Sequence, residues 1–177
     1  QNSSRSAFYK KILFPKASKD IWSSTETSLP EGTRKEDFDK DSVLSRFDYQ
    51  LKSSGINTNH TLHPDFSWSS SDISQIKSYY QLDKYILIFP FCSPHLTSKK
   101  WPYYNELISM INEKSDNKFK VIVAPGPNEI KEASNINALC ILDNGKALDI
   151  SQLAALIKDS SFVVANDTGP AHMTAHL

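Results

Sequence analysis

Cysteine is scarce in this chain of 177 residues, with only Cys92 and Cys140 present. Each lies in an apolar run that reads as a buried strand, so a disulfide framework is not expected. The two thiols read as packing residues, and a reducing compartment is the expectation. Long apolar runs are lacking too. The longest, Tyr85 to Phe91, is far short of the roughly 20 residues a membrane-spanning helix needs, and no basic-then-apolar leader precedes it. On that ground the sequons at Asn2, Asn59 and Asn166 read as chance matches, not glycan sites. An excess of one charge is missing as well. The 20 basic and 20 acidic side chains cancel, which argues against a nucleic-acid module, and 39% hydrophobic residues indicate a soluble globular chain of at most two domains.

Two phosphate-binding signatures are absent. No Gly-x-Gly-x-x-Gly follows the first apolar run and no Gly-x-x-x-x-Gly-Lys-Ser/Thr occurs, so a dinucleotide oxidoreductase or a P-loop nucleotidase would lack its cradle. Arg5, Arg34 and Arg46 are the only arginines, and any anion bound by the later part must be held by lysine and backbone amides. His60 and His63 have no cysteine or carboxylate at ligand spacing, so they read as exposed polar residues and no metal site is expected.

What is present is an alternating pattern. QNSSRSAFYKKILF has Ala7, Phe8, Lys11 and Ile12 at helical spacing, with Ser3 or Ser4 as N-cap. Residues 16 to 42 are polar, broken by Pro30 and Gly32, and predict a long surface loop without a core. Leu44, Phe47, Asp48 and Leu51 share one helical face, and Gly55 follows where a left-handed C-terminal cap belongs. NTNHTLHPDFSWSSSD is turn-rich and reads as a linker, after which Asp72 or Ser71 caps a short helix through Tyr80. From Tyr85, the runs YILIFPF, FKVIVAP, ALCIL and SFVVAN predict strands. Between them, WPYYNELISMINEK and SQLAALIKD predict helices with stripes Leu107, Ile108, Ile111 and Leu153, Leu156, Ile157, and Pro102 fits the first opening turn. Strands apolar on both faces and joined by helices imply an α/β class: a Rossmann-like parallel sheet with flanking helices. PAHMTAHL opens a helix that stops after about two turns without a closing residue, so the chain reads as an internal fragment.

In such sheets ligands bind beyond the carboxyl ends of the strands. Three loops lie there: PFCSPHLTSKKWP, PGPNE and NDTGPAH. The last runs from a strand straight into a helix. Its free N–H groups, Gly169 for close approach, the Thr168 hydroxyl and His172 in the first turn suit a phosphate. For an isolated Asp-Thr-Gly the commoner alternative is Thr168 as plain N-cap and Asp167 as turn residue. Lys99 and Lys100 precede a helix entry, where cations call for an anion, or else are two solvated lysines. Glu129 opens the short helix after PGP, either as a favourable N-terminal carboxylate or as an acceptor for ribose hydroxyls. Trp22, Trp68 and Trp101 could stack on a base, although Trp101 fits better as a wedge between its helix and the sheet.

Taken in order, PFCSPHLTSKKWP, VIVAPGPNE and LDISQLAALIKDSSFVVANDTGPAHMTA resemble the carboxyl-terminal domain of glycosyltransferase family 9, the heptosyltransferase family. QNSSRSAFYKKILFP and RFDYQLKSSGI are similar to the late part of its amino-terminal domain. The resemblance implies a GT-B architecture of two Rossmann-like domains. Residues 1–70 would be the end of the acceptor-side domain plus linker, and 71–177 the first part of the nucleotide-sugar-binding domain. It implies that Lys99, Thr168, Gly169, His172 and Ser93 meet the donor diphosphate and Asp167 the donor sugar. Glu129 and Leu148 would meet the nucleoside. It also implies inverting transfer of a heptose-like sugar from an ADP-heptose-like donor to a lipopolysaccharide-type acceptor, without a cofactor. A bacterial cytoplasmic enzyme, with peripheral contact at the inner face of the inner membrane through its acceptor, is the corresponding setting. The family's general base would lie upstream of Gln1, leaving this piece inactive alone. Where the family has Pro-Gly after the first strand the chain has Pro90-Phe91, a bulk expected to narrow the backbone approach; where it has paired glycines, Pro125-Gly126-Pro127 stands. A non-catalytic nucleotide-sugar-binding module and a nucleotide-sugar epimerase are the competing expectations.

Overall fold

The computed structural model describes residue 12 and residues 29–177. The expected first helix and most of the 16–42 loop therefore lie outside the described residues, as does Trp22. The chain divides into two compact units, Gln1–Pro64 and Asp65–Leu177. Asp65 to Ser70, which the sequence reading assigns to the linker, is tied into the second unit: Phe66 N donates to His176 O at 2.9 Å, and Ser71 N to Ser151 O at 3.2 Å.

In the first unit, α1 (Lys35–Phe38) and α2 (Val43–Ser53) are helical. Phe38, within the stretch expected to carry no core, is only 2% exposed and meets Tyr49 edge-on at 5.6 Å. A polar stretch can still bury its one large ring, and the composition of the window hid it. The Ser42 side chain accepts from Ser45 N and starts α2. Gly55, at φ +72°, ends it: Gly55 N reaches Lys52 O and Ile56 N reaches Leu51 O, the paired bonds of a left-handed cap. Phe47 is exposed on this unit, whereas Asp48 on the same helical face is buried and pairs with Lys52 at 2.7 Å.

The second unit is an α/β layer structure. After α3 (Ser74–Tyr80) come β1 (Tyr85–Phe89), α4 (Tyr104–Lys114), β2 (Lys120–Val123), α5 (Ile130–Ala133) and β3 (Leu139–Cys140). α6 (Ile150–Lys158), β4 (Phe162–Ala165) and α7 (Gly169–Thr174) complete the order. All strand pairings are parallel, in the spatial order β3-β2-β1-β4. Alternation along β1 shows why the run is apolar throughout. Tyr85, Leu87 and Phe89 enter one cluster with Ile76 of α3 and Leu156 of α6, while Ile88 enters another with Tyr104 and Ile108 of α4. Both faces are covered, as a parallel sheet requires. The chain moves outward from β1 through β2 to β3, then returns to β1's other side as β4. Right-handed crossovers force α6 to the face opposite α4, where it is found.

Local chemistry explains most element ends. Asp149 and Gln152 form a reciprocal capping box that starts α6. Tyr85 donates its buried hydroxyl to Leu156 O at 2.7 Å, satisfying one of the four carbonyls that α6 leaves orphaned at its end. Burial pushes the Tyr85 phenol well above its ordinary range. Two expected boundaries shift. α3 begins at Ser74, because the Asp72 carboxylate takes Ser74 N in a side-chain turn. α4 begins at Tyr104, leaving Pro102 ahead of the N-cap position held by Tyr103.

Candidate functional site

The reversal between β1 and β4 leaves a crevice at the carboxyl edge of the sheet, where parallel strand ends and loops meet. A cavity of about 730 Å³ occupies it. Its walls come from the loop after β1 (Phe91 to Lys100), the Pro125–Glu129 turn after β2, and Asp167 to Pro170 after β4, with Leu148 and Leu153 beneath. Ser93, Lys99, Glu129, Leu148, Asp167, Thr168 and Gly169 all line it. His172 is not on the wall; its Nε2 stands 3.5 Å from Asp167 Oδ1. The remaining contacts are specific. Lys99 Nζ donates to Asp167 Oδ2 at 2.5 Å, both groups being partly exposed. The Lys99 hydrogen bond and then its charge hold the Asp167 carboxyl below its usual range, with His172 adding to the effect. Lys100 pairs with Glu132 on the opposite wall. The loop after β1 is thus latched by consecutive lysines to carboxylates on two sides.

Other positions behave differently from expectation. Thr168 occupies the N-cap position of α7, yet its side chain makes no cap bond; the hydroxyl donates to Asn166 O at 3.3 Å instead. No hydrogen bond from the Thr168 or Gly169 amide occurs among the described residues. Glu129 folds back so that its Oε2 accepts from Gly126 N at 2.8 Å, closing the Pro-Gly-Pro turn from within. A β-carbon on Gly126 would lie 3.1 Å from that oxygen, so the turn has room for glycine beside the carboxylate.

Phe91, expected to narrow the approach, is 5% exposed and packs in the α4-side cluster with Tyr104 and Ile108. Its ring is shared between that core and the cavity wall, which Phe91 also lines. Cys92 corrects the expectation of a buried strand thiol: β1 ends at Phe89, and Cys92 lies in the cavity wall with its Sγ donating to Leu96 O at 3.3 Å. Cys140 is in β3 as expected, partly buried, and burial pushes its thiol up. Trp101 precedes α4, meets Tyr104 edge-on at 5.2 Å and stays 43% exposed, while Trp68 is on an exposed turn. Among the described residues no group of three or more His, Cys, Asp or Glu could hold a metal ion, and no helix is long and apolar enough to cross a membrane.

Sequence reasoning missed Asn166. In the sequence it ends the SFVVAN run, opens the NDTGPAH loop and forms a chance sequon, with no role for its side chain, but the residue is 6% exposed and bonded on every side. The signal was a polar residue ending an apolar strand, immediately before Asp-Thr-Gly.

Compared with known proteins, residues 16–177 match the family model described as Glycosyltransferase family 9 (heptosyltransferase). No curated protein and no solved structure matches.

Proposed function

The chain belongs to glycosyltransferase family 9, whose members take a nucleotide-sugar donor and a glycoconjugate acceptor, and from that premise we propose that its Asp65–Leu177 unit holds the donor. The diphosphate lies between Lys99 and the Thr168 and Gly169 amides, with Ser93 and His172 beside it. The sugar faces Asp167, and the nucleoside lies along Leu148 with Glu129 at its ribose. The donor is an ADP-heptose-like nucleotide sugar, and the acceptor a lipopolysaccharide-type glycan made in the bacterial cytoplasm at the inner membrane face.

Transfer proceeds with inversion. An acceptor hydroxyl attacks the anomeric carbon, the bond from that carbon to the diphosphate oxygen breaks, and a carboxylate acting as general base takes the hydroxyl proton. Charge grows on the departing diphosphate, where a lysine and unpaired amides at fixed positions stabilise it more in the transition state than in the ground state. Lys99 and the Thr168–Gly169 turn therefore contribute binding and leaving-group stabilisation.

One observation carries this reading: three separate segments, each following a different strand, supply a lysine, a carboxylate and free amides to a single cavity. The test is calorimetric titration of the chain with ADP, GDP, UDP and inorganic pyrophosphate, alongside the Lys99→Ala variant. Saturable binding of a nucleoside diphosphate, weakened in the variant, supports the reading; no binding, or binding indifferent to Lys99, overturns it.

A further inference from the structure

We propose that Asn166 is a positioning residue for the donor site, its buried carboxamide setting Lys99 in register with the Asp167–Gly169 turn. The proposal rests on the donor-site reading above and adds to it a residue that never touches the ligand. Asn166 Nδ2 donates to Pro90 O at 2.9 Å and lies 3.4 Å from Phe91 O, at the exit of β1. Its Oδ1 accepts from Trp101 N at 3.3 Å and from the Tyr104 hydroxyl at 3.2 Å. Carbonyls can only accept and an amide N–H can only donate, so these partners fix which way the amide faces. Its backbone N also extends the β1–β4 ladder to Phe89 O at 3.2 Å.

Three pieces of chain meet on this one side chain. Pro90 and Phe91 begin the loop that carries Ser93 and Lys99, Trp101 ends it, and Asp167 follows Asn166 directly. The loop is thus pinned at both ends to the residue that precedes the phosphate-binding turn, while its lysines stay partly exposed. Hydrophobic packing could not do this, because it does not specify register along a loop, whereas an amide with two donors and an acceptor does. Tyr104 braces the same point, its hydroxyl also lying 3.3 Å from Phe89 O.

The test is a double-mutant cycle on ADP binding, with folding followed by circular dichroism. Asn166→Ser and Lys99→Ala should each raise Kd by roughly tenfold, and in the Lys99→Ala background Asn166→Ser should add less than about twofold. A purely structural residue would give additive losses. Should Asn166→Ser not fold, Tyr104→Phe takes its place, with an expected threefold loss that also vanishes without Lys99. Asn166→Asp supplies a second readout. Its protonated carboxyl can donate to Pro90 O as the amide does, so the ratio of its Kd to that of the parent should fall as pH is lowered from 8 to 5.5. Additive effects, or a pH-independent ratio, overturn the positioning role while leaving the donor site intact. A Lys99→Ala variant that binds ADP as the parent does overturns both.

Discussion

Replacing Asp167 by Asn should tighten the grip on a bare nucleoside diphosphate while weakening it on the nucleotide sugar. The Lys99 ammonium is 2.5 Å from an Asp167 oxygen. A diphosphate held by Lys99 as proposed would have to draw it away and then lie beside the abandoned negative charge, so binding would exchange one anionic partner for another. A hydrogen bond to a charged group is worth about 1.5–3 kcal/mol when gained outright. Exchange and solvent screening reduce the Lys99→Ala loss to about 1–1.4 kcal/mol, roughly five- to tenfold in Kd. Asp167→Asn removes the competitor, and affinity for ADP should rise about two- to fivefold at low salt and less at 0.15 M.

The pH dependence has a definite sign. Lys99 holds the Asp167 carboxyl below its usual range. The contribution of the pair to stability is therefore complete above the unfolded value of about 4 and is lost as pH falls through the lower folded value. The Asp167 carboxyl itself should therefore add no slope to the gap between parent and Asn variant from about pH 5.5 to 8, a range well above both values. Isothermal titration with ADP and with a nucleotide sugar checks this. An Asn variant that loses affinity for both ligands alike would refute the exchange.

Tyr85→Phe leaves Leu156 O without its buried donor and should cost about 1–2 kcal/mol, read by calorimetry as a Tm lower by roughly 3–10 °C. Gly55→Ala forces a β-carbon onto a residue at φ +72°, and urea titration should show about 1 kcal/mol lost with an unchanged m-value. Gly126→Ala crowds the flexible end of Glu129, which can give way, so Tm should hardly move. ADP affinity should nonetheless drop a few-fold while that for inorganic pyrophosphate stays, if the displaced carboxylate meets the ribose as proposed.

The layer architecture was legible because buried parallel strands leave a simple trace. YILIF and KVIV are apolar at every buried position, and the stripes of α4 and α6 repeat at helical spacing. The cavity followed from topology, since the loops after β1, β2 and β4 must share one edge. What escaped were facts fixed by single contacts between distant residues. Asn166 looks like any polar strand terminus until Pro90, Trp101 and Tyr104 surround it. Phe91 looks like an obstruction until α4 offers it a core position. The Lys99–Asp167 and Lys100–Glu132 pairs span 68 and 32 positions of sequence, and no local pattern announces either.

The strand order β3-β2-β1-β4 has a kinetic corollary. β1 and β2 can pair as soon as α4 has formed between them, but the crevice needs β4, which must close a loop of more than 70 residues back onto β1. Closure over such a distance is slow relative to the nearer pairing, so the binding edge is the last part of the sheet to assemble. In a refolding experiment, recovery of nucleotide affinity should lag behind recovery of helical signal, and a fluorescent nucleotide would time the docking of the final strand.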